Sequence, residues 1–98
     1  MSNFADHLTS DRRLVLLRVL LESVGYTANE FILQTMAEQL GHVASADLIN
    51  TDLAWLKEQG LFGLDDVAGV TIAVLNKRGE EVARGRATVP GVKRPRAR

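Results

Sequence analysis

The sequence has no cysteine. That excludes a disulfide scaffold, a thiolate metal site and a cysteine nucleophile, and leaves the hydrophobic core, or a partner chain, to hold the fold. No apolar run approaches the roughly 18 residues that a membrane span needs, and the chain does not open on a basic segment followed by a long apolar stretch. A soluble protein that is not exported, with no membrane partner, is expected. Metal-ligand spacings such as His-x-x-x-His and glycine-rich phosphate loops are also missing; His7 falls in a lead-in and His42 in a turn, where it can touch phosphate. The chain therefore reads as a non-enzyme that needs no cofactor and no metal. Net charge is zero, with 12 Lys and Arg against 12 Asp and Glu in 98 residues. At 46% hydrophobic residues and this length, one small domain fits and two independent cores do not.

The balance of charge conceals a segregation. Residues 1–75 hold four basic side chains against ten acids, a net of −6, and residues 76–98 hold eight against two, a net of +6. An acidic body with a basic end points to contact between that end and a polyanion such as nucleic acid.

Helix signals dominate the first half. Ser10 or Asp11 can cap a first helix, with Met1 to Thr9 as lead-in, and seven of the eight residues Leu14 to Leu21 are apolar, Arg18 being the exception. A helix apolar on nearly all sides is either central to the core or shared with a second subunit, so a homodimer through this helix is one of two readings. Gly25 can stop it. Thr27 to Glu30 has the form of a capping box, with Tyr26 and Phe31 placed as a hydrophobic staple. The second helix then carries Leu33, Met36, Ala37 and Leu40 on one face and ends at Gly41.

Ser45 can cap a third helix whose inward stripe is Ile49, Leu53 and Leu56. Gly60 and Leu61 have the form of a Schellman stop packed on Leu56. Two strands are expected next, Leu61 to Leu64 and Val70 to Leu75, with Val70, Ile72 and Val74 on one face and a turn through Asp65 to Gly69 between them. Asn76 can cap a short last helix to about Ala83. From Gly85 onward the chain reads as an extended tail too poor in apolar surface to order itself.

This order of elements is that of a winged helix-turn-helix domain, and particular residues strengthen the likeness. Asp52 to Leu61, with Leu53, Leu56 and the stop Glu58, Gln59, Gly60, Leu61, resembles the end of the recognition helix in arsenic-repressor-type and multiple-antibiotic-resistance-type regulators. Leu75, Asn76, Lys77, Arg78, Gly79 resembles the Leu-Thr-x-x-Gly that leads those families into the helix after the wing. The chain is most similar to the small winged-helix proteins of Mu-like prophages, labelled arsenic-repressor-like, and Val89 to Pro95 resembles their shared tail. The expected fold class is α+β. It comprises a winged helix-turn-helix domain over residues 1–84, with a three-helix core, a two-stranded wing and a short C-terminal helix, followed by a disordered, flexible basic tail over 85–98.

The resemblance implies a DNA-binding transcriptional regulator of phage or prophage origin, homodimeric, in the cytoplasm of a bacterial host. In such a domain the third helix enters the major groove of double-stranded DNA. Ser45, Asn50 and Thr51 are its candidate contacts, Asn50 because its amide can pair with adenine. Asp47 and Asp52 carry the wrong sign beside phosphate, and the helix has only Lys57 as a cation. The hairpin tip, with Asp65 and Asp66, reads more readily as completing the core than as gripping a groove. Backbone contacts then fall to Arg12, Arg13, Lys77, Arg78, Arg84, Arg86, Lys93, Arg94, Arg96 and Arg98. Arg84, Gly85, Arg86 resembles a minor-groove hook without its proline. Trp55 has core packing or a subunit contact as its alternatives. The cysteines of metal-sensing arsenic repressors are absent, so metal regulation is not implied. A second functional reading uses the same fold as a protein-binding module for a phage or host protein, which would account for the acidic third helix and hairpin.

Overall fold

The computed structural model describes residues 3–96. Helix α1 (Phe4–Glu22) leads through a 3-10 turn (Val24–Tyr26) into a three-residue strand β1 (Thr27–Asn29). Helices α2 (Glu30–Gln39) and α3 (Ala46–Glu58) follow, then strands β2 (Phe62–Val67) and β3 (Val70–Leu75), and helix α4 (Lys77–Ala83). The fold is α+β, with four α-helices and a three-stranded antiparallel sheet in the order β1-β3-β2. None of the helices among the described residues is long and apolar enough to cross a membrane.

The helix α1 starts earlier than its sequence suggests. Asn3, not Ser10 or Asp11, is the N-cap, and its side chain accepts from the Asp6 amide at 2.9 Å. Leu14, Leu16, Leu17, Val19 and Leu20 are all buried, on several sides of the helix. This resolves much of the apolar run of α1. The helix packs against α2, α4 and β3 within one chain, so most of its apolar surface is consumed internally.

The expected capping box is replaced by a strand. Thr27, Ala28 and Asn29 pair with Val74, Ala73 and Ile72 of β3, and Asn29 caps α2 by accepting from the Ile32 amide at 2.9 Å. Gly25 and Tyr26 both take left-handed backbone, φ 66° and 56°, which reverses the chain between α1 and β1. Phe31 is 55% exposed, so no staple forms. A local capping motif has lost here to pairing with a strand more than forty residues away, because Asn29 serves as cap while leaving Thr27 free for the ladder.

The helix α3 forms as its signals indicate. The Ser45 hydroxyl accepts from the Leu48 amide at 3.1 Å. At the other end the Leu61 amide donates to the Leu56 carbonyl at 3.1 Å and the Gly60 amide to Lys57 at 2.9 Å, a Schellman motif around Gly60 with φ 76°.

The hairpin is longer and tighter than expected. Its turn is Ala68 and Gly69 alone, with φ 53° and 82°, and the Asp66 carboxylate accepts from the Gly69 amide at 2.9 Å. Asp65 and Asp66 therefore lie in β2, opposite Ile72 and Thr71. The core takes Ala73 and Leu75 of β3 with Phe62 of β2, while Val74 points outward.

The residues after Gly85 are not a free tail. Val89 is 4% exposed and belongs to the core, with Ala87 and Val92 packed against it. The Lys93 amide donates to the Ser10 carbonyl at 3.1 Å, and Gly91 lies so close to Trp55 that a Cβ would come within 2.8 Å of the ring. Three apolar residues spaced along a basic segment, together with these contacts to α1 and α3, seat it on the body of the fold.

Candidate nucleic-acid interface

The N-terminal half of α3 is open on one side. Ala46, Asp47, Thr51 and Ala54 are exposed, while Ile49, Leu53 and Leu56 are in the core. The Ser45 cap begins the helix here, and Glu30, which accepts from both the Asn50 side chain and the Thr71 amide, ties this half of α3 to the β2–β3 hairpin.

Three of the candidate contacts on α3 are already hydrogen-bonded within the chain. The Asn50 amide nitrogen donates to Glu30 Oε1 and to the Ala46 carbonyl, both at 3.0 Å, which leaves its Oδ1 as the remaining group for a base edge. Thr51 donates its hydroxyl to the Asp47 carbonyl at 2.9 Å, and Ser45 is the cap. Glu30 also accepts from the Thr71 amide at 2.6 Å, so its carboxylate joins α2, α3 and β3. The Asn50 amide and then the Thr71 amide hold the Glu30 carboxyl below its ordinary value.

Arg12 and Arg13 do not face solvent as backbone contacts would. Arg12 is 8% exposed and forms a two-point ion pair with Asp52, itself 1% exposed. Arg13 approaches the same carboxylate at 3.7 Å, donates to the Gly91 carbonyl at 3.1 Å and stacks 3.8 Å from the centre of the Trp55 ring. Burial lowers the Arg13 pKa, partly opposed by the Asp52 charge. Both arginines are structural here because Asp52 points inward. For the same reason Asp52 presents no charge to a ligand on the outer face of α3.

Asp11, expected at a helix cap, instead gathers the tail and the α2–α3 turn. His42 Nε2 lies 2.6 Å from Asp11 Oδ2, and Lys93 Nζ 3.3 Å from Oδ1. Partial burial would raise the Asp11 pKa, but hydrogen bonds from His42 and Lys93 outweigh it and hold the carboxyl below its ordinary value. Lys93 is thus partnered, and His42 is buried in the turn.

Lys77, Arg78, Arg86, Arg94 and Arg96 are exposed. Arg84 donates to Glu80 at 3.0 Å, which raises its pKa, and Arg98 lies outside the described residues. Arg84, Arg86 and Arg96 meet Arg18 of α1 around a hollow of about 360 Å³. Arg18 was not among the sequence candidates. Its signal was its position as the one charge interrupting an apolar run.

A second depression of about 520 Å³ lies between α1 and α2, lined by Val15, Val19, Ile32, Met36 and Leu40 together with Arg18, Glu22 and Ser23, so Arg18 and Glu22 border both hollows. Ile32 and Leu40 are exposed on its rim, and Phe4 and Leu8 are exposed further along α1.

The chain is 46% identical over 93 residues to the uncharacterized protein gp26 of Escherichia phage Mu, covering 95% of this chain and 96% of gp26. It is 43% identical over 77 residues to an uncharacterized protein of Haemophilus influenzae, covering 78% of this chain and 74% of that protein. The likeness to gp26 supports a phage origin. No family model matches the chain, and no solved structure matches it.

Proposed function

The chain belongs to the family of the phage Mu protein gp26, and from that premise we propose that it is a winged-helix protein that binds double-stranded DNA as a transcriptional regulator. The observation that carries the reading is the outward face of α3 beside the β2–β3 hairpin, in a chain whose element order and β1-β3-β2 sheet suit a winged helix-turn-helix. The helix α3 enters the major groove with Ala46, Asp47, Asn50, Thr51 and Ala54 toward the bases. Asp47 is the charged side chain on the exposed face of that half, and a carboxylate in the groove accepts from the amino group of cytosine. The protein works without catalysis, in the cytoplasm of the bacterial host.

Two copies bind half-sites about one helical turn apart, roughly 34 Å. They pair through α1, where a two-fold partner covers Phe4 and Leu8 together with Ile32 of the neighbouring α2 and Leu40 at its C-cap.

A second reading, a module for a basic segment of a phage or host protein, is favoured by one observation. Asp47, Asp65 and Asp66 are all exposed, on α3 and the hairpin where phosphate would approach.

Fluorescence anisotropy over a salt series, with DNA flanking the protein's own gene and with random duplex, separates the two. A regulator prefers the flanking DNA and loses that preference on Asp47→Ala. Absence of binding to either duplex at moderate salt overturns the regulator and favours the protein module.

A further inference from the structure

We propose that the hollow between α1, the end of α4 and the C-terminal segment is a phosphate-backbone site for duplex DNA, separate from the face of α3. The inference rests on the DNA-binding reading and adds where the backbone is held. Four arginines reach this hollow from three parts of the sequence: Arg18 from α1, Arg84 and Arg86 from just past α4, and Arg96 from further along the C-terminal segment. Among the described residues, Arg84 is paired with Glu80, whereas Arg18, Arg86 and Arg96 have no carboxylate within ion-pair distance. Glu22, one turn beyond Arg18, is the acid of the lining.

Assembly of like charges opposes folding unless something else holds them together. Here Val89 in the core and the Lys93 amide bond to Ser10 anchor the segment, and Pro95 lies close to Gly85, within 3.5 Å of where a Cβ would stand. The fold thus presents a pre-formed cluster of guanidinium groups rather than a floating basic arm. Such groups match phosphate oxygens in two-point hydrogen bonds, and all four side chains are exposed, so they suit a run of phosphates along a duplex.

The position is distinctive. Arg12 and Arg13 point from α1 toward Asp52 of α3, and Arg18 lies five and six residues further on, about 120° to 140° around the helix from both. DNA in the hollow therefore meets the side of α1 turned away from α3, and its binding carries no sequence preference.

The test compares the full chain with the triple variant Arg18→Ala, Arg86→Ala, Arg96→Ala, on random duplex across a salt series, and then on DNA flanking the gene. Loss of the hollow lowers the slope of log affinity against log salt by about 2 to 3, since each phosphate contact contributes about 0.9. Arg→Lys at the same three positions retains the slope, and the unfolding midpoint of both variants stays that of the parent because the side chains are exposed. The proposal predicts that whatever preference the parent has for flanking DNA survives in the Ala variant. An unchanged slope in a parent that binds duplex overturns the hollow and leaves the DNA-binding reading standing. A lowered slope together with lost preference overturns its separation from α3. A parent that binds no duplex overturns both.

Discussion

Arg12 of α1 and Asp52 of α3 form a buried two-point ion pair, with Arg13 3.7 Å from the same carboxylate. This contact ties α3 to α1 on the side away from its exposed face, while α2 and β2 supply the rest of its packing. Removing one side of such a pair strands a buried charge. Asp52→Ala is expected to destabilise the fold by about 3 to 5 kcal/mol, read by urea unfolding. A loss below about 1 kcal/mol would show that α3 is held by its apolar stripe alone.

Gly79 permits the close approach of α4 to the start of the hairpin. A Cβ there would stand 2.2 Å from the Leu61 carbonyl oxygen and 2.6 Å from a Leu75 methyl. Gly79→Ala should cost about 1 to 3 kcal/mol. Gly63→Ala, where nothing lies within 4 Å, should change stability by less than about 0.5 kcal/mol and serves as the control.

Two carboxyls make stability fall in acid. Asp11, beside His42 and Lys93, and Glu30, beside Asn50 and the Thr71 amide, both have folded pKa values below the ordinary ones. A lowered carboxyl pKa stabilises the fold above the unfolded value, about 4, and that contribution disappears as pH falls through the folded value. Asp11→Asn should therefore be less stable than the parent at neutral pH, and the difference should close below pH ~4. A difference that stays constant with pH would remove Asp11 charge from the account.

Truncation after Arg84 tests the seating of the C-terminal segment. Burial of Val89 alone contributes on the order of 2 kcal/mol, and the truncated chain also loses the Arg13 bond to Gly91 and the Lys93 contacts with Ser10 and Asp11. A lower thermal midpoint is expected. A midpoint equal to that of the full chain would restore the picture of a free arm.

The elements that were legible in the sequence are those with local causes. Ser45 and Asn76 cap α3 and α4, and Gly60 with Leu61 closes α3, each through bonds spanning a few residues. The misread elements depend on distant partners. The strand β1 exists because β3 pairs with it, and Val89 is buried because the C-terminal segment docks on the core, with Lys93 bonded to Ser10 and Gly91 against Trp55. The candidate site divides the same way. Arg12 and Arg13 read as phosphate contacts until Asp52, some forty residues on, claims them, whereas Arg18 joins a cluster that only the docking of the C-terminal segment creates.

The most direct test of DNA binding through α3 is a titration of the 15N-labelled protein with a duplex carrying DNA that flanks its gene, followed by amide chemical shifts. The account predicts shifts at Ala46, Asp47, Thr51 and Ala54, with a second set around Arg18, Arg86 and Arg96. A spectrum unchanged at excess duplex, or one in which the α3 amides stay still while other surfaces respond, would contradict it.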